Sequence, residues 1–120
     1  YLARLFGDAE LVIDSDSLVP THLRRGDVPE PLEGLSVGSR EQIAVLVRLA
    51  LASLLRDREG EAPCLVLDDA LVYADEHRFE VMKTILQQAA AQMQIVILTC
   101  RPRDYRGLSG RFLRLEDCGG

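Results

Sequence analysis

Along the 120-residue chain the apolar positions gather into groups of different period. AELVID (9–14) and SLVP (17–20) are short β-rich runs divided by Ser15 and Asp16, which predicts a hairpin. The residues before them, 1–6, read as the end of a helix. From Thr21 to Gly34 the chain carries Gly26, Pro29, Pro31 and Gly34 and reads as a loop. A long helix is predicted over LSVGSREQIAVLVRLALASLLRD (35–57), opened by a Ser-x-x-Gln capping box at Ser39 and Gln42. Its Ile43, Val45, Leu46, Val47, Leu49, Leu51, Leu54 and Leu55 cover most of the circumference, the pattern of a helix buried between other elements.

The polar DREGEAP (57–63) ends that helix, and CLVL (64–67) follows as a continuous apolar run, the pattern of a buried parallel strand. A second helix is expected from about Asp75 to Gln94. Phe79, Met82, Ile85 or Leu86, Ala89 and Met93 form its apolar stripe, and Asp75 and Glu76 sit in its first turn. IVILT (95–99) is a second buried strand. One helix between two such strands makes a β-α-β unit with a parallel pair. RFLRLED (111–117) alternates loosely and predicts an edge strand. The fold class is α/β, one domain over 1–120: hairpin and loop to residue 34, then helices and strands to 117.

With 48% hydrophobic and 28% charged residues, the chain can build a core. Its most apolar segment, Ile43–Leu55, is interrupted by Arg48 and too short to span a bilayer. It shows no signal-peptide pattern and opens on Tyr1 without an initiator Met, so a processed piece or a segment of a longer chain is expected. Net charge is −5, and the basic clusters (Arg24–Arg25; Arg101, Arg103 and Arg106) are short, which argues against a nucleic-acid surface here. Three cysteines (Cys64, Cys100, Cys118) lack C-x-x-C spacing, and His22 and His77 lie far from any pair. Buried free thiols in a reducing cytosol are expected, with no zinc site. Lys83 is the only lysine, and it follows Met82 in a helical pattern. The chain therefore has no G-x-x-x-x-G-K-[ST] phosphate loop.

The chemistry concentrates in LVLDDALVYAD (65–75), where Asp68 and Asp69 stand side by side after an apolar strand. In open α/β sheets the carboxyl ends of the strands are where ligands bind. Two neighbouring carboxylates repel and resist desolvation, so a metal ion, an arginine or a helix N-terminus is expected beside them. The competing reading is a strand-end turn in which aspartate caps the next segment.

LVLDD resembles a Walker B motif, and Asp75 lies seven positions after Asp68, as does the D-loop acid of ATP-binding-cassette (ABC) ATPases. Upstream, LSVGSREQ resembles the LSGGQ-like signature sequence, with its long helix behind it; downstream, IVILTCR stands where a strand leads to the switch loop. In order and spacing the set is most similar to SMC-like, RecF/RecN-type ATPases, over roughly residues 30–117. The resemblance implies a P-loop NTPase-like parallel sheet flanked by helices, the C-terminal lobe of an ABC head lacking its P-loop. It implies that Asp68 holds Mg²⁺ and Asp69 is the catalytic base, and that Ser36, Gly38 and Ser39 meet the ATP bound by a second head. Asp75 then acts at the dimer seam or as a helix cap, and Cys100 or Arg101 stands at the switch position. ATP and Mg²⁺ are the implied cofactors. The implied partners are the N-terminal P-loop lobe of the same protein, a homodimer of heads, and DNA; the location is cytoplasmic or nucleoid-associated, with no membrane.

Three departures from the family pattern are visible: Val37 where glycine is usual, Asp69 where glutamate is usual, and no switch histidine. They keep open a non-hydrolysing, ATP-dependent dimerisation module. A phosphoacceptor receiver domain fits less well, since its acid pair lies on the first strand and no lysine follows Lys83 here.

Overall fold

The two apolar runs at 64–67 and 95–99 form a parallel pair, although of their residues only Leu67 is buried, against the two buried strands expected. β4 (Cys64–Asp68) and β5 (Gln94–Leu98) run in register from Cys64↔Gln94 to Asp68↔Leu98. The computed structural model describes residues 1–61 and 63–118. Ahead of this pair lie helix α1 (Leu2–Phe6), strands β1 (Glu10–Ile13), β2 (Pro20–Arg25) and β3 (Val28–Pro31), a 3-10 turn (Leu32–Gly34), and helix α2 (Val37–Glu59). Helix α3 (Glu76–Ala89) joins β4 to β5, and a short helix α4 (Leu115–Cys118) closes the described chain. The architecture is α/β, with an antiparallel sheet β1-β2-β3 beside the parallel pair.

One apolar core serves both sheets. Leu49 of α2 and Met82 and Ile85 of α3 are fully buried. They join Leu67 of β4, Leu23 of β2 and Phe6 of α1 in a single cluster. Stripping apolar surface of water at these positions is the main favourable term holding the two sheets to the helices.

Several expectations are corrected. The second strand expected at 17–20 begins only at Pro20, residues 15–17 forming the turn, and the region read as a loop is mostly strand: β2 covers Pro20–Arg25, and β3 pairs with it through Leu23↔Glu30 and Arg24↔Pro29. Pro29 and Pro31 are tolerated because β3 is an edge strand, where a missing N–H need not break a ladder. The expected edge strand at 111–117 is absent; residues 111–114 have no regular structure and α4 follows. Phe112, Leu113 and Leu115 are exposed there, so no buried face fixes a strand register.

Helix α2 is capped by Ser36, whose hydroxyl accepts the Ser39 N–H at 3.2 Å, one turn earlier than the predicted box. Nor is the helix buried all round. Gln42, Ile43, Val45, Leu46, Leu49 and Ala52 face the core, whereas Leu51, Leu54 and Leu55 are 46–58% exposed. Cys64 and Cys100 are exposed as well, contrary to the buried thiols expected; the side chain of Cys118 lies outside the described residues.

Candidate functional site

Asp68 ends β4 opposite Leu98 and is exposed to solvent. No basic side chain pairs with Asp68 or Asp69 among the described residues, so the expectation of a protein arginine beside them is not met. The pair is tolerated because both carboxylates keep access to water. Asp69 adopts a left-handed φ of 44°, its N–H donates to the Leu98 carbonyl at 2.9 Å, and its Oδ1 accepts the Cys100 N–H at 3.1 Å. Asparagine and aspartate are the non-glycine residues that enter this region most readily.

The chain then turns through Leu71, also left-handed (φ 68°) and buried, to Asp75. Asp75 is the N-cap of α3, and its Oδ1 accepts the Arg78 N–H at 2.9 Å. The helix-cap reading of Asp75 is thus realised in the structure.

The signature-like turn packs directly on this loop. Gly38 is buried, and a Cβ added there would stand 2.5 Å from the Tyr73 carbonyl oxygen and 3.1 Å from its carbon. Only glycine permits that approach of helix to loop. Glu41 Oε2 accepts the Tyr73 N–H at 3.1 Å. Arg78 donates from Nη1 to Ser39 Oγ at 2.8 Å, lies 3.7 Å from Asp75 and stacks over the Phe6 ring at 5.1 Å. The Ser36 hydroxyl donates to Ser39 Oγ at 3.0 Å. Ser36, Gly38, Ser39 and Asp75 are therefore one connected cluster, and Asp69 with Cys100 is a second. Val37 is exposed, and Arg101 is exposed with its N–H donating to Thr99 Oγ1 at 2.9 Å.

Three contributors escape sequence reasoning. Glu41 and Arg78 carry a faint signal, the latter by standing three residues after Asp75 on a helix. Tyr105 carries none. It is buried, donates its hydroxyl to the Ala70 carbonyl at 3.0 Å and meets Phe79 edge to face. Burial pushes its phenol above the usual tyrosine value, helped by the negative charges of Asp104, Asp69 and Glu41. At neutral pH it is a hydrogen-bond donor.

A solved SMC ATPase, from work on ATP-driven dimerization and DNA-stimulated activation of SMC ATPases, superposes with a TM-score of 0.64. The match covers 94% of this chain and 72% of that one at 15% identity. The chain shares the fold of that SMC ATPase. Sequence similarity runs the same way. The DNA double-strand break repair Rad50 ATPases of Thermoplasma acidophilum and Methanocaldococcus jannaschii are 27% and 29% identical, across 92% and 82% of this chain. An uncharacterized protein of Mycobacterium tuberculosis is 36% identical over 107 residues, 88% of the chain. The chain spans only 10–12% of the length of these relatives. No protein-family profile matches it. Among its described residues no helix is long and apolar enough to cross a membrane.

Proposed function

We propose that this segment supplies the Walker B acids, the signature turn and the D-loop of an SMC-like ATPase head. In this reading the head hydrolyses ATP only when a P-loop lobe and a second head complete the site. The observation that carries it is the joint placement of two features: acids at the carboxyl end of a strand of the parallel pair, and a glycine-bearing helix N-terminus packed on the loop that follows them. Head dimers and DNA as partner, and a cytoplasmic or nucleoid location, belong to the same proposal and rest on kinship with SMC and Rad50 proteins.

A lone carboxylate is compatible with magnesium. Among the described residues no group of three or more His, Cys, Asp or Glu side chains could hold a metal by itself. Magnesium keeps several waters and is commonly held by one or two carboxylates together with substrate phosphates. Asp68 is such a carboxylate, solvent-exposed at a strand end. When bound, Mg²⁺ neutralises charge on the phosphates. Asp69 accepts a proton from the attacking water, and its left-handed backbone aims a side chain one methylene shorter than the usual glutamate. Ser36 offers a hydroxyl and α2 its first N–H groups to the anionic nucleotide of the opposite head. Asp75 meets the opposite head at the seam while capping α3, and the exposed Cys100 and Arg101 occupy the switch position without a titrating histidine.

One observation favours a second reading, the non-hydrolysing dimerisation module. One oxygen of Asp69 already accepts the Cys100 N–H, so the residue has a structural task independent of catalysis. ATP-dependent dimerisation by light scattering and ATP turnover, on the complete protein and its Asp69→Asn variant, decide between them. The hydrolysing reading expects transient dimers for the wild type and persistent ones for the variant. Identical behaviour of the two would leave the module. No ATP-dependent dimer in either would remove the signature assignment of Ser36, Gly38 and Ser39.

A further inference from the structure

Beyond Cys100 and Arg101, the segment after β5 contributes nothing to the function proposed above, yet it holds one buried aromatic in an otherwise exposed stretch. Tyr105 is 6% exposed, while residues 100–104 and 106–107 are open to solvent. Its hydroxyl donates to the carbonyl of Ala70 at 3.0 Å, and its ring meets Phe79 of α3 with centroids 5.2 Å apart. Ala70 lies between the two left-handed residues Asp69 and Leu71. Neither is glycine, and such conformations persist only where the surroundings over-determine them. Within the turn itself there is little to do so. The bonds on Asp69 and Ala70 come from Leu98, Cys100 and Tyr105, all beyond α3 in the chain.

We infer that Tyr105 is a positioning residue, which by clamping the Ala70 carbonyl fixes the direction of the Asp69 carboxylate and the path of the loop to Asp75. This rests on the reading of Asp69 as the base. It follows from chain length as well as contact. Aspartate reaches less far than glutamate, so a shift of the turn by about 1 Å moves the carboxylate away from the water it must orient, at a cost on the order of a hundredfold in rate. The raised pKa of the phenol keeps the hydroxyl protonated and donating wherever the site operates near neutrality.

The test uses the complete ATPase with Tyr105→Phe, Phe79→Leu and Asp69→Asn beside the wild type, measuring kcat, KM for ATP and thermal stability. Tyr105→Phe keeps the ring on Phe79 and removes one donor. Its kcat should fall roughly tenfold or more, with KM for ATP within about twofold and little loss of melting temperature. Phe79→Leu loosens the packing but leaves the hydroxyl bond, so it should lower the melting temperature more than kcat. An unchanged kcat in Tyr105→Phe, with Asp69→Asn inactive, overturns the positioning role. Parallel losses of kcat and stability in both Tyr105→Phe and Phe79→Leu overturn it too, because the tyrosine then only packs. If Asp69→Asn turns over like the wild type, the proposed function has failed and the inference fails with it.

Discussion

Two strands of this molecule run into an aspartate, and the two aspartates are treated differently. Asp14, after β1, is surrounded by its own neighbours. Its Oδ1 accepts the Ser17 N–H at 2.7 Å, the Ser17 hydroxyl at 2.8 Å and the Asp16 N–H at 3.1 Å. Asp69, after β4, accepts one N–H, from Cys100, 31 positions away. Asp14 shows what the strand-end-turn reading looks like when it is true: a carboxylate consumed by the turn it makes. Asp68 and Asp69 do not look like that, and this contrast argues for a ligand-directed role at the end of β4.

Breaking the contrast has its largest effect at Asp69. Asparagine there still accepts the Cys100 N–H and tolerates the left-handed backbone, so stability should hold within about 1 kcal/mol. Turnover by the complete protein should fall by about a hundredfold to ten-thousandfold, the usual worth of a general base. Asp14→Asn should leave turnover at the wild-type rate. Steady-state ATPase assays on the two variants, with urea titrations alongside, test both halves of the comparison. Equal rates for all three proteins would break it.

Gly38→Ala should come next. The added methyl would sit 2.5 Å from the Tyr73 carbonyl oxygen, and that oxygen is backbone, so helix and loop must separate. A loss of about 2 kcal/mol is expected from such overpacking, read from the urea midpoint. Turnover should drop as well, because the loop between Asp69 and Asp75 is what moves. Wild-type stability would mean that the close approach is not needed.

How much of this was legible follows the range of the interactions. The parallel pair, the α3 stripe through Met82, Ile85, Leu86 and Ala89, and the cap at Asp75 are written in spacings of two to four residues, and the structure contains them. The acid pair at a strand end was readable for the same reason. The misreadings have the opposite character. β3 was hidden because prolines mark a loop unless the strand happens to be at an edge. Leu51, Leu54 and Leu55 look like core in a helical wheel, but nothing in the described chain covers them. Serines at 36 and 39 both suit an N-cap, and only the observed bond from the Ser39 N–H chooses Ser36. Tyr105 over Ala70 and Gly38 against Tyr73 join positions 35 residues apart and carry no local signature.

Arg78 sharpens the comparison from the other side of the loop. It bonds Ser39, pairs with Asp75 and covers the Phe6 ring, so it ties the first turn of α2 to the cap of α3. It is about one-third exposed, which screens the ion pair and leaves the bond to Ser39 as the main contribution. Arg78→Gln should cost about 1 kcal/mol. Combined with Ser39→Ala it should cost clearly less than the sum, because both changes remove the same bond. Strict additivity in a double-mutant cycle would show that the two residues are not coupled.

The smallest effect is expected at Asp14, and it is a dependence on pH. Its carboxyl is held below the ordinary value of 3.8 by the Ser17 N–H, then the Ser17 hydroxyl, then the Asp16 N–H. A depressed carboxylate pKa stabilises the folded state above the ordinary value, and that contribution disappears as pH falls through the lowered one. Asp14→Asn keeps an acceptor oxygen but cannot titrate there. The stability gap between wild type and Asp14→Asn should therefore be widest near neutrality and close in acid, below pH 3.8. Thermal melts across that window measure it. A gap that stays constant would mean the charge of Asp14 does not hold the turn, and the contrast with Asp69 would then rest on geometry alone.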